Sequence, residues 1–135
     1  MATLKELQDY HRMKAKELRI GNLLDFGDPI VTGYDKKYCD ITPKGILEFS
    51  MGRLTVYPIP ITKEWLIKFG FVDDELHLDI KETGCIDTIY FNDGKIGTSS
   101  SEYYGLHNIQ YVHQLQNLYF ALTGEELELK VDALQ

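Results

Sequence analysis

Glu75, His77 and Asp79 occupy alternate positions of a run with strand spacing, so their side chains should leave one face of a single strand. An imidazole between two carboxylates is a donor set that suits a divalent cation. One strand rarely completes a coordination shell, however, and the chain has no HxxxH, HExxH or CxxC to add ligands. A solvent-facing strand shows the same alternation without any metal, and that plainer reading is favoured. His107 and His113 are six residues apart, a spacing that suits capping or hydrogen bonding better than a shared ion. Ser99, Ser100 and Ser101 have no GxSxG context and no basic partner to make a nucleophile. Neither GxGxxG nor GxxxxGK[ST] is present to cradle a phosphate. Asp73 and Asp74 are adjacent on a turn and point apart, whereas general acid–base work needs convergence. No catalytic residue, metal ligand or cofactor is assigned.

The polar–aromatic residues make a better case for binding. Tyr103, Tyr104, His107 and Asn108 fall on a segment just ahead of a helix that carries His113, Gln116 and Phe120. Rings supply contact area and their polar tips supply specificity. The candidate binding set is therefore Tyr103, Tyr104, His107, His113, Gln116 and Phe120. The competing reading lays the tyrosines over a sheet as lid packing.

The element behind that set is a helix within residues 111–126. At about 100° per residue, Tyr111, Leu115, Leu118 and Leu122 share one stripe, flanked by Val112 and Tyr119. Thr123 and Gly124 supply the stop, with glycine in a left-handed C′ position. His113, Gln114, Gln116, Asn117 and Phe120 then face outward. Phe120 needs cover there, from another segment of the chain or from a partner. A shorter helix is expected over 63–69, with Thr62 as N-cap, Glu64 at the positive end of its dipole, and Gly70 as its end. Phe71 is placed to fold back on Leu66. Trp65, Leu66 and Phe69 make this helix a core plug, or else the wall of an indole-lined pocket.

The expected fold class is α+β. Extended runs at 19–26, 30–34, 37–41, 45–50 and 53–57, broken by turn residues, suggest a small curled antiparallel sheet of the SH3-like half-barrel kind. Pro58 and Pro60 end the pairing. A second hairpin region follows. The run 76–80 alternates apolar and polar, and 86–91 and 95–98 flank Asn92-Asp93-Gly94, a strong hairpin turn. Residues 99–105 read as a mobile loop, and 127–131 alternates as a final edge strand or continues as helix. The span 3–18 looks weakly helical, with 1–16 as an N-terminal helical extension of one domain covering 1–135.

Bulk properties narrow the partners. With 135 residues, 44% hydrophobic and 26% charged, the chain can bury a core without metals or disulfides. Its net charge of −7 argues against a nonspecific nucleic-acid binder and against docking on anionic membranes. Carboxylates interleaved with lysines argue against a DNA mimic. No apolar signal core or membrane-length run occurs, so a cytoplasmic location with Cys39 and Cys85 reduced is expected. A small nucleotide ligand would need a local cluster such as Arg19, Lys36, Lys37 and Lys44.

Three blocks carry a family resemblance: ELRIGN at 17–22, YPIPITKEWLIKFGF at 57–71, and YVHQLQNLYFALTGEEL at 111–127. Together they resemble a family of small uncharacterised proteins associated with phages and prophages of Bacteroidetes. The segment 73–108 departs from the pattern. The resemblance implies a phage-encoded accessory protein and brings no catalytic residues. The expected function is noncatalytic binding of a host or phage protein, with a homo-oligomer allowed. The alternative is a counter-defence module that sequesters a signalling nucleotide or inhibits an immune effector.

Overall fold

In the computed structural model, the residues described are 13–27, 36–72, 76–80, 88–92, 94–99 and 104–130, with backbone only at 104–107. They form a mixed α and β fold with two small antiparallel sheets and three helices. The chain divides into two compact units. Unit 1 comprises 1–60 and 111–113, and unit 2 comprises 61–110 and 114–135.

The first described element of unit 1 is a 3-10 turn, Ala15–Glu17; residues 1–12 of the expected helical extension lie outside the described residues. A tight turn follows. The Asn22 N–H donates to the Arg19 carbonyl at 3.0 Å, and the Asn22 Oδ1 accepts from the Arg19 N–H. Gly21 sits at φ +92°, which the third position of such a turn requires. Asn22 is fully buried, so its side chain serves as an internal clamp. Strand β1 (Leu23–Asp25) pairs antiparallel with β2 (Tyr38–Asp40), Leu24 opposite Cys39. Residues 30–34, expected as a strand, lie outside the described residues.

The run 45–50, expected to be extended, is helical: α1 spans Pro43–Ser50. The Thr42 Oγ1 accepts from the Gly45 N–H at 3.0 Å, and Pro43 stands in the first turn, where its missing N–H costs nothing. Beyond Ser50, the Gly52 N–H donates to Phe49 and the Arg53 N–H to Glu48, a Schellman closure. Residues 53–57 contribute only a bridge, Tyr57 opposite Asp25. The core joins Met13, Leu18, Leu24, Phe26, Ile41, Leu54 and Val56, with Cys39, Ile46 and Phe49 packed against it.

Unit 2 opens with α2 (Lys63–Lys68), capped by Thr62 as expected, its Oγ1 accepting from the Trp65 N–H. Its end matches the sequence as well. The Gly70 N–H donates to Ile67 and the Phe71 N–H to Leu66, with Gly70 at φ +98°. Trp65, Leu66 and Phe69 are buried, which favours the plug. A four-stranded antiparallel meander follows, in the order β3 (His77–Asp79), β4 (Thr88–Asn92), β5 (Lys95–Ser99), β6 (Tyr104–His107). Asn92 pairs with Lys95, so β4 and β5 form the hairpin expected there, and Asp93 lies outside the described residues. Part of the expected loop is strand: Ser99 ends β5, and Tyr104 and Gly105 begin β6. Helix α3 spans Val112–Thr123, and Gly124 closes it by donating to Phe120. Residues 126–130 alternate in burial but join no sheet.

Gly97 lies opposite Tyr90, and a Cβ at Gly97 would run into the Tyr90 ring. Glycine here lets an aromatic side chain lie flat across the neighbouring strand. Gly97→Ala should therefore destabilise the chain by about 2 kcal/mol through overpacking. In Tyr90→Ala/Gly97→Ala the two costs should fall short of their sum, read by urea denaturation. Strictly additive costs would disprove the contact.

Candidate functional site

Unit 2 carries a partly open cleft of about 520 Å³. Phe69, Leu78, Tyr119 and Leu127 supply its apolar and aromatic lining, with Phe69 and Leu127 almost fully buried. Glu125, Glu126, Glu128 and Lys130 supply its charged lining, all four exposed. Three carboxylates face one ammonium.

Each wall is held by identifiable forces. Phe69 is the C-cap of α2, fixed by the closure at Gly70. Leu78 sits in β3 opposite Ile89. Tyr119 lies in the last turns of α3, where its carbonyl accepts from the Thr123 hydroxyl at 2.8 Å. The same hydroxyl accepts from the Glu125 N–H at 3.0 Å, so Thr123 and Gly124 aim the chain as it leaves the helix. At its far end the segment is tied by the Lys130 N–H donating to the Lys68 carbonyl at 2.9 Å. The Lys130 side chain crosses Gly70, where a Cβ would come within 2.5 Å of Cε. Gly70 thus meets two demands, a left-handed backbone and room for that stem.

The residues singled out from sequence distribute differently. Tyr103 lies outside the described residues, and Tyr104 and His107 belong to strand β6. His113 and Gln116 are not outward: they are 1% and 4% exposed. Phe120 alone of the helix set is exposed, at 39%. The expected seam also shifts, since Val112 and Leu115 are fully buried while Tyr111, Leu118 and Leu122 are half-buried. The first turns of α3 are covered nearly all round, so a single apolar stripe was a poor guide to orientation. Sequence reasoning missed Phe69, Leu78, Tyr119 and the 125–130 segment as a site. The available signal was the alternation of Glu126, Leu127, Glu128 and Leu129 straight after a helix stop.

Other candidate chemistry finds less support. His77 Nε2 lies 3.9 Å from the Asp79 carboxylate, and Glu75 is outside the described residues. Among the described residues, no three His, Cys, Asp or Glu side chains gather as a metal would need. Of the proposed anion cluster, Lys37 lies 3.9 Å from Asp25 and Lys44 3.8 Å from Glu48. The Cys39 thiol donates to the Lys36 carbonyl at 3.1 Å, and Cys85 is outside the described residues. No described helix is long and apolar enough to cross a membrane. No protein-family model, curated protein or solved structure matches the chain.

His113, in unit 1, stacks on Tyr111 with ring centroids 6.0 Å apart. Neither ring nitrogen has a hydrogen-bond partner. Burial penalises the imidazolium and pushes its pKa from 6.5 down to about 4. The unfolded chain therefore takes up this proton first as pH falls. The stability from neutral His113 is complete above 6.5 and is lost on the way down to about 4, by roughly 3 kcal/mol in all. His113→Leu, which gives up no hydrogen bond, should fold well and flatten the pH dependence of urea stability in that window. A slope unchanged by the substitution would show that His113 titrates normally in the folded chain.

Proposed function

We propose that this chain is a noncatalytic accessory protein that works by engaging a protein partner, and that the unit 2 cleft is where it does so. The observation that carries this reading is the cleft itself: a lining of Phe69, Leu78, Tyr119 and Leu127 beside exposed carboxylates. Apolar area with convergent polar groups is the usual composition of a recognition site. Phe120 adds exposed aromatic surface on α3. The phage origin rests on the resemblance of the three sequence blocks, and action in a host cytoplasm belongs to the same reading. An SH3-like half barrel in unit 1 has the β1–β2 pair and the Tyr57 bridge in its favour.

Capture of a signalling nucleotide draws less support. An anion would meet three glutamates at the cleft, and two lysines of the alternative cluster stand near carboxylates of their own. Inhibition of an immune effector protein remains within the protein-binding reading. Tagged chain recovered from its native cells should carry one partner in near-stoichiometric amount, and the complex should survive size-exclusion with light scattering. A chain that always elutes as an isolated monomer would overturn the function.

A further inference from the structure

The cleft lining carries three glutamates and one lysine, and one of its walls has the spacing of a strand. Burial alternates along that wall: Leu127 is buried and Leu129 half-buried, with Glu126, Glu128 and Lys130 exposed between and beyond them. This is the period of a strand. The segment is secured at its ends, through Thr123 and Gly124 on one side and the Lys130–Lys68 bond on the other. Within it, the backbone groups of Leu127, Glu128 and Leu129 make no hydrogen bond among the described residues. An edge of this kind is a template for pairing with another chain.

We infer that the cleft takes an extended segment of a partner protein in which lysine or arginine alternates with an apolar side chain. This rests on the protein-binding reading above and names the partner's chemistry. The main chain of the incoming segment pairs with 127–129, completing donors and acceptors that the wall leaves open. Its apolar side chain covers Tyr119 and Leu78, the half-buried members of the lining. Its cation meets Glu125 and Glu128. A second copy of this chain is a poor occupant, because its own −7 opposes the approach of the two copies. An anionic ligand is worse placed still, against the glutamates themselves.

The test uses the full chain and a short synthetic peptide of alternating lysine and leucine, followed by fluorescence anisotropy. The control peptide replaces lysine with glutamate. Glu125→Lys/Glu128→Lys reverses the cleft, and Glu48→Lys/Glu64→Lys makes the same change in net charge elsewhere. The lysine peptide should bind the parent, and added salt should weaken it. The cleft reversal should weaken it about tenfold or more, and the distant reversal about twofold at most. The inference is overturned if the lysine peptide fails to bind at about millimolar concentration, if the glutamate peptide binds as well, or if both reversals act alike. If the native partner still co-purifies undiminished with the cleft-reversed chain, protein binding stands and the cleft assignment does not.

Discussion

The start of α3 depends on how the chain around Pro60 is paired. In unit 1 the Val112 N–H donates to the Ile59 carbonyl at 2.8 Å, and Pro60 stands opposite Tyr111. In unit 2 the Ile61 N–H donates to the Gln110 carbonyl at 3.0 Å. Proline has no N–H to give, and this bridge asks for none, because the bonds come from the residues on either side. The first N–H groups of a helix have no partners within it. Ile59 satisfies that of Val112, and the Gln114 side chain reaches back to the Gln110 N–H at 2.8 Å. Tyr57 and Asp25 exchange two further bonds of 2.9 Å each in unit 1. The N–H groups of Asp25, Tyr57, Ile61, Gln110 and Val112 are thereby satisfied, as buried backbone demands.

Seen this way, the three sequence blocks are mostly scaffold. ELRIGN contains the Arg19–Asn22 turn with its buried asparagine clamp. The second block holds Tyr57, Pro60, the Thr62 cap and the closure at Gly70. The third begins with Tyr111 opposite Pro60 and runs past the Gly124 stop to Leu127 in the cleft wall. Residues that answer a backbone requirement leave few substitutes, so a resemblance built on them speaks to architecture more than to partner.

The features legible in the sequence were those with a local cause. The Asp-Gly hairpin, the Thr62 cap and the Phe71–Leu66 closure each depend on a few neighbouring residues, and each is present. Helix α1 was missed because Ile46, Leu47 and Phe49 fit either period in so short a run. Thr42-Pro43 serves equally as a turn and as a helix start, and the closure at Gly52 favours the helix. The face of α3 was misjudged for a different reason. Burial of His113 and Gln116 depends on what covers them, and apolar periodicity carries no information about a neutral imidazole set against Tyr111. The cleft was invisible because Phe69, Leu78, Tyr119 and Leu127 come from four separate places in the chain.

The division between scaffold and site has an electrostatic consequence. Charges farther than about 10 Å from a ligand are largely screened at ordinary salt, so the net −7 acts mainly during approach. At the cleft the charge is local: Glu125, Glu126 and Glu128, with Lys130 drawn across Gly70. These carboxylates are exposed. The segment bearing them is anchored at its ends, and between those anchors it relies on the burial of Leu127. Such a wall can shift without disturbing the helix closures on either side of it.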